Sequence, residues 1–363
     1  MRLAAESGLW ATGAAPAPGP LAAVLEGSGA VLSWIVDAPV GEPPVITFTD
    51  HRRADWLWRV IGEAGHVALA EALQYRDPAE PVEVPGVSML PGSADSLRRL
   101  AFGHWLRRWW PASVRDAITA LDPAVLDAEL AVLTVGAEDF FADDTFDSDV
   151  TGLLAPHLAT LDSLAREGDP RITELVDKCR NIADDIGLPW TVTVGTPARR
   201  DDYALAAAGG TGAAADRSAI AAGVASVSWS AVPPGVFDAA EHTVDWTVRA
   251  GADAVDAVVQ AALSGLDQAA GIAATLRCGS WHGSGVFDAA GRATLPILDA
   301  DGTPLLEAQA WNTDWSAAEL TVGAGAGEPA EIRARVRALA RARLAEPSDD
   351  AFLAELLAAE SDY

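Results

Sequence analysis

The densest concentration of side chains able to bind a partner runs from Leu97 to Pro111, 15 residues that include three Trp and four Arg. Trp and Arg are the residue types most enriched where protein–protein contacts carry binding energy. The pattern predicts a helix that ends at Pro111. One broad face of this helix carries Phe102, Trp105, Leu106, Trp109 and Trp110. The opposite face carries His104, Arg107 and Arg108, and it is suited to an anion or an acidic partner.

A second interpretation of the same helix stays open. Leu97 and Leu100 lie nearer the polar side of the helix, so its first half is apolar on a different side from its second half. A helix that is apolar on two sides is usually buried between other elements. The helix could therefore fill the core rather than bind a partner.

A basic amphipathic pattern near the end of the chain predicts a second docking helix. Arg333, Arg337 and Arg341 recur every four residues, beside an apolar stripe that includes Ile332 and Val336. Such a helix either docks onto an acidic partner or packs on the protein's own surface. The predicted partner-binding residues are therefore His104, Trp105, Arg107, Arg108, Trp109, Trp110, Arg333, Arg337 and Arg341.

Motifs that would support catalysis are weak. Cys278 and His282 would lie about 13 Å apart in an extended strand, too far for a hydrogen bond unless the glycines between them fold back. No G-x-S-x-G motif occurs, and the six His lack the spacing of zinc ligands. We predict no catalytic residue, no metal and no cofactor.

Two further segments match the sequence patterns of known ligand sites only in part. Asp147, Asp149, Thr151 and Gly152 match a calcium loop, but its twelfth position is Leu158 instead of Glu, so we expect an acidic loop that caps the next helix. The glycines at 209–212 lack the buried strand that a dinucleotide site needs. Trp311 and Trp315 would share a face of an extended strand. Exposed Trp rings on one face can stack on a sugar, so sugar binding is a further hypothesis for this region.

Composition limits the class of protein. The chain has 363 residues, half of them hydrophobic, with a net charge of −27 and an isoelectric point near 4.4. This acidic composition excludes the broad basic surface that nucleic-acid-binding proteins present, and we expect no nucleic-acid or membrane partner. The first residues lack the apolar run of a signal peptide, so we expect a cytoplasmic protein with Cys179 and Cys278 as buried free thiols.

The predicted fold class is α+β. We expect an N-terminal mixed α/β region with the Trp/Arg-rich helix, an acidic helical middle, and a C-terminal antiparallel β-sandwich followed by two helices. The corresponding ranges are 1–120, 121–195, an Ala/Gly-rich linker at 196–223, 224–327 and 328–363.

The predicted elements follow from periodicity and capping residues. Helices are expected at 55–75, 113–121, 123–141, 150–166, 170–186, 329–344 and 349–360. Strands are expected at 30–36, 44–49, 224–232, 243–250, 254–263, 272–278, 292–298, 305–311 and 319–322.

These observations predict a non-enzymatic adaptor or scaffold subunit of a cytoplasmic bacterial assembly. Its partner would be another protein, such as one encoded in the same gene cluster. The alternative is a hydrolase, including a metal-dependent one, with an atypical site in the acidic segment or near Cys278 and His282.

Overall fold

The computed structural model describes residues 1–6, 8–39, 41–74, 80–141, 149–190, 219–251, 254–265, 267–325 and 327–361. The chain divides into two compact units. Unit 1 comprises Met1–Trp110, Leu121–Val192 and Pro329–Tyr363, and unit 2 comprises Pro111–Ala120 and Thr193–Glu328. Helices and antiparallel sheets are both present, so the predicted α+β class is confirmed.

Unit 1 contains a six-stranded antiparallel sheet. Its strands are β1 (Arg2–Glu6), β2 (Leu9–Ala11), β3 (Ala22–Gly27), β4 (Ala30–Ile35), β5 (Val45–Phe48) and β6 (Val82–Glu83), in the order β3-β4-β5-β2-β1-β6. Leu25, Leu32 and Ile46 align across three strands and are buried, so this face of the sheet forms core. A two-residue turn joins β3 to β4, and Gly29 supplies the positive φ of 75° that it requires.

Ten α-helices occur in the described part of the chain. They are α1 (Trp58–Ile61), α2 (Glu63–Leu73), α3 (Asp95–Trp109), α4 (Pro123–Phe141), α5 (Val150–Leu154), α6 (Leu158–Glu167), α7 (Pro170–Asp185), α8 (Glu307–Trp311), α9 (Ala330–Ala345) and α10 (Leu353–Ser361). All except α8 belong to unit 1. None of the helices in the described ranges is long and apolar enough to cross a membrane.

Two predicted helices of unit 1 are interrupted. The helix predicted at 55–75 starts with a 3₁₀ turn and then breaks at Gly62, whose φ is 76°. The helix predicted at 150–166 breaks at a 3₁₀ turn that contains Pro156. Proline removes a backbone donor and disfavours helical geometry in the residue before it, which explains the second break.

Helix α3 packs against α4 and against strand β3. Its buried residues are Leu97, Leu100, Ala101, Phe102, Gly103, Trp105 and Leu106. Gly103 marks the closest approach, because a Cβ atom there would lie 2.5 Å from Leu130 Cδ2 and 2.8 Å from the Phe352 ring. Most of α3 is therefore a core element.

Residues 350–355 are attached to α3 and α9 by a set of ion pairs that we call the C-terminal clamp. Arg343 binds Glu355 through two contacts of 2.6 and 2.7 Å, and Glu355 is fully buried. Arg98 Nη1 lies 2.9 Å from Asp350 Oδ2. Arg99 contributes to the clamp through a hydrogen bond, since its Nη1 donates to Asp350 O at 3.0 Å. The clamp makes the last helix an integral part of unit 1.

Unit 2 is built on a seven-stranded antiparallel sheet. Its strands are β7 (Ala219–Ala225), β8 (Val244–Ala250), β9 (Val255–Ala261), β10 (Ala273–Cys278), β11 (Trp281–Val286), β12 (Arg292–Leu298) and β13 (Glu319–Val322), in the order β13-β10-β11-β12-β9-β8-β7. The two end strands approach each other, so the sheet curls around a core that includes Trp246, Phe287 and Leu295. The prediction of antiparallel strands here is confirmed.

Several predicted boundaries in unit 2 are wrong. Residues 305–311 contain helix α8 instead of a strand, and Gln309 Oε1 accepts a hydrogen bond from Leu306 N at its start. Trp311 and Trp315 therefore do not share a strand face. Strand β7 begins at Ala219, inside the predicted linker, and a 3₁₀ turn at Trp229–Ala231 replaces the end of the predicted strand. The rest of the linker, 196–218, lies outside the described residues.

The helix predicted at 113–121 is also wrong, because Ser113 and Ile118 pair in a short hairpin. The cause is the buried carboxylate of Asp238 in unit 2. It accepts hydrogen bonds from Ser113 Oγ at 2.6 Å, Val114 N at 2.9 Å and Arg115 N at 3.2 Å. A buried acceptor distant in sequence thus takes the backbone donors that start this segment.

Candidate functional site

The C-terminal end of α3 presents Arg107, Arg108, Trp109 and Trp110, which we call the Trp/Arg surface. The Arg107 side chain is 51% exposed, and the other three residues are half-buried. The Arg108 guanidinium carbon lies 4.2 Å from the centroid of the Trp109 ring, a cation–π stack. This end of the helix thus carries an aromatic and cationic surface that solvent reaches.

Trp105 supports this surface from below. It is 3% exposed, its Nε1 donates a 2.7 Å hydrogen bond to Pro20 O, and its ring lies 5.1 Å from that of Phe102. In this position Trp105 fills core and fixes the helix on the sheet. The buried face of the helix thus packs in the core, whereas partner binding by its C-terminal end stays a prediction.

A polar cluster beneath the surface joins three elements of unit 1. Asp127 on α4 is 3% exposed. Its Oδ1 forms an ion pair with Arg107 Nε at 2.8 Å, although the angle does not suit a hydrogen bond. Its Oδ2 lies 3.1 Å from His157 Nε2. The pair fixes the base of the Arg107 side chain while leaving half of it exposed.

His104 belongs to the same cluster and is half-buried. Burial lowers its pKa below the usual range, the charge of Arg107 lowers it further, and Asp127 opposes both effects. A lowered pKa favours the neutral imidazole at neutral pH. On this face His104 is therefore a neutral donor or acceptor, and the positive charges come from Arg107 and Arg108.

The predicted residues of α9 lie on another helix of unit 1. Arg337 is buried, Arg333 is half-buried and Arg341 is exposed. The apolar stripe of α9 contributes Val336 and Ala340 to the core, and the helix packs against α10.

Sequence reasoning missed the role of Asp127 and His157. A signal was present, because Asp127 directly follows the apolar run Ala124–Leu126 on the predicted helix. A charge in such a place is buried only when it is paired. The sequence could have identified the need for a partner, but not that the partners come from α3 and from the turn after α5.

Cys278 and His282 do not come together. They lie on the β10–β11 hairpin, where His282 pairs with Arg277 while Cys278 pairs with Trp281. Adjacent residues of a strand point to opposite faces, so the two side chains are on different sides of the sheet. Cys278 is buried, donates to Asp314 O at 3.2 Å, and has a pKa raised mainly by burial.

Of the predicted calcium-loop residues, Asp147 lies outside the described residues. Asp149 caps α5, because its side chain accepts a 2.7 Å hydrogen bond from Gly152 N. In the ranges that the structure describes, no three His, Cys, Asp or Glu side chains are grouped so that they could hold a metal ion.

No protein-family model matches the chain, and searches of curated proteins and of solved structures give no match either.

Proposed function

We propose that the protein is a non-enzymatic interaction subunit that binds a partner protein through the Trp/Arg surface. The observation that carries the proposal is the Arg108–Trp109 stack on the solvent-accessible end of a helix whose other face is fixed in the core. Trp and Arg dominate binding hot spots, and a preorganised side chain loses less entropy on binding.

The charge of the surface indicates an acidic partner. Arg107, which is paired with Asp127 but half exposed, and Arg108 place two guanidinium groups at the surface of a chain whose net charge is −27. Electrostatic complementarity of this kind sets partner specificity and the rate of association more than affinity. We propose a protein partner within a cytoplasmic bacterial assembly, encoded in the same gene cluster, rather than a nucleic acid or a membrane.

The test compares Trp109→Ala with Trp58→Ala. Trp58 is a matched control, because it is 43% exposed and Arg59 lies 4.9 Å from its ring centroid in a second Arg–Trp stack. Each variant and the wild-type chain are immobilised and exposed to lysate of the native organism, and the bound proteins are quantified by mass spectrometry.

We expect a protein that binds the wild-type chain and Trp58→Ala, and whose capture by Trp109→Ala falls about tenfold or more, the loss typical of a hot-spot residue. Circular dichroism checks that both variants are folded. Equal capture by folded Trp109→Ala, or equal loss with both variants, would refute the site.

A hydrolase is the second candidate, and the Asp127–His157 contact of 3.1 Å favours it. A carboxylate that orients an imidazole is the usual support of a general base. We would assay hydrolysis of p-nitrophenyl esters and phosphates with and without Mg²⁺ or Zn²⁺. The hydrolase hypothesis requires turnover that His157→Asn abolishes in a folded protein; turnover that survives this change, or none at all, rejects it.

A further inference from the structure

A groove with a volume of about 600 Å³ lies between two loops of unit 1. One wall is the loop at 41–45 and the other is the loop at 87–95, with Trp34 and Arg98 between them. The volume falls in the range of sites that bind small organic molecules. Three prolines contribute to the walls, namely Pro43, Pro44 and Pro91. Their fixed φ angles limit the motion of both loops.

Besides apolar side chains, the groove is lined by Thr12, Ser88, Ser93 and four charged side chains, and the last four differ in depth. Arg2, Glu42 and Asp95 are exposed, whereas the Arg98 side chain is only 12% exposed. Arg98 also lines a smaller cavity of about 50 Å³ that shares Trp34 and Glu42 with the groove. The deepest of these four charged side chains is therefore positive.

Arg98 is held in place by the C-terminal clamp. Its Nη1 lies 2.9 Å from Asp350 Oδ2, and its guanidinium carbon lies 5.4 Å from the centroid of the Phe102 ring. A guanidinium has five N–H donors on three nitrogens, and the contact with Asp350 uses one nitrogen. A second carboxylate can therefore bind Arg98 without displacing Asp350.

We propose that the groove binds a small organic carboxylate with an apolar body, its carboxylate on Arg98 and its body between Pro44, Met89 and Leu90. A hydrogen bond between two charged groups is stronger than a neutral one, which favours an acid over a neutral analogue. This site is separate from the Trp/Arg surface and does not depend on the proposed function.

The experiment measures binding of octanoate and of its neutral analogue octanamide to the full chain by isothermal titration calorimetry. Leu90→Glu places a like charge in the groove at a residue that is 48% exposed, so the fold should survive. Val67→Glu is the matched control, because Val67 is 57% exposed on α2 and does not line the groove.

We expect octanoate to bind at least about tenfold more tightly than octanamide, and Leu90→Glu to weaken octanoate binding by about tenfold or more while Val67→Glu leaves it unchanged. Absence of saturable octanoate binding to the folded wild-type chain would overturn the proposal. Equal affinity for the two compounds would overturn the role of charge, and full binding by folded Leu90→Glu would overturn the location.

Discussion

Glu355 is a fully buried carboxylate whose two oxygens both have partners. Arg343 contacts both of them, and Phe352 N donates to Oε2 at 2.9 Å. Removing one member of a buried ion pair leaves the other charge desolvated and unpaired, which costs more than the pair contributes. At this position the loss should therefore be large.

We predict that Glu355→Ala lowers the free energy of unfolding by about 3–5 kcal/mol, because Arg343 is then buried without its main partner. Urea denaturation followed by circular dichroism measures the change. The control is Glu174→Ala, which removes an exposed pair with Lys178 at 2.8 Å and should have no measurable effect. Similar effects of the two substitutions would contradict the role of burial.

Ionisation of the Cys179 thiol should make the free energy of unfolding depend on pH in the alkaline range. It is fully buried, and burial raises the pKa of its thiol to about 12 from the ordinary 9.0. Above pH 9 the unfolded chain loses this proton while the folded chain keeps it, so the free energy of unfolding falls as pH rises from 9 towards 12. The slope from this one group is at most about 1.4 kcal/mol per pH unit.

We predict that the wild-type chain loses stability between pH 9 and pH 10.5 more steeply than Cys179→Ala, which has no thiol to ionise. Urea denaturation at both pH values measures the two slopes. Parallel slopes would mean that the thiol is not protected from ionisation in the folded chain.

At the scale of elements, alanine substitution at two helical glycines should have opposite effects on stability. At Gly103 a Cβ atom would meet Leu130 and the buried ring of Phe352, whereas at Gly136 on α4 it would meet nothing within 4 Å. Alanine stabilises an open helix position by about 0.5–1 kcal/mol relative to glycine, but overpacking in a core costs about 1–3 kcal/mol. The surrounding space therefore decides the sign.

We predict that Gly103→Ala destabilises unit 1 by about 1–3 kcal/mol and that Gly136→Ala stabilises it by up to about 1 kcal/mol. Denaturant midpoints of the two variants, each compared with wild type, test both signs. A stabilising Gly103→Ala would show that Leu130 and Phe352 do not pack as closely on α3 as described.

Helix ends were predictable where the signal is local. Asp122 and Asp169 each precede a proline, and each side chain accepts a backbone hydrogen bond at the start of its helix, from Ala124 N at 2.9 Å and from Arg171 N at 2.8 Å. Helices α4 and α7 begin at the predicted residues because cap and first turn lie within a few positions of each other.

Elements that depend on distant partners were not predictable. The segment 113–118 is a hairpin because Asp238 takes its donors, and no local pattern reveals an acceptor more than 120 residues away. Strand β11 was missed because Gly283 and Gly285 weaken its pattern, yet at both positions a Cβ atom would meet Leu295 on β12. The candidate site was likewise predictable only in part. Its Trp and Arg residues stand out in the sequence, whereas Asp127 and His157 do not.

At the scale of the whole molecule, the charge of −27 opposes compaction. Like charges repel more strongly when they are brought together in a folded chain than when they are spread along an unfolded one. Screening shortens the range of this repulsion from about 30 Å at 0.01 M salt to about 10 Å at 0.1 M. Exposed ion pairs lose some attraction in the same change, but each contributes little.

We predict that the free energy of unfolding rises when NaCl is increased from 0.01 to 0.2 M. Urea, which is uncharged, serves as the denaturant so that ionic strength is set by NaCl alone. A decrease in stability would show that the ion pairs, including the C-terminal clamp, outweigh the net repulsion.

Unit 1 is assembled from three separate stretches of chain, and its last helix is made after all of unit 2. A ribosome adds about 5–20 residues per second, so on the order of ten seconds or more separates α3 from α10 during translation. Throughout that interval the nascent α3 lacks Phe352, and Arg98 and Arg99 lack Asp350 as a partner. Completion of unit 1 is therefore a late event in biosynthesis, and the side of α3 at Gly103 that Phe352 covers stays open to solvent or to a chaperone until then.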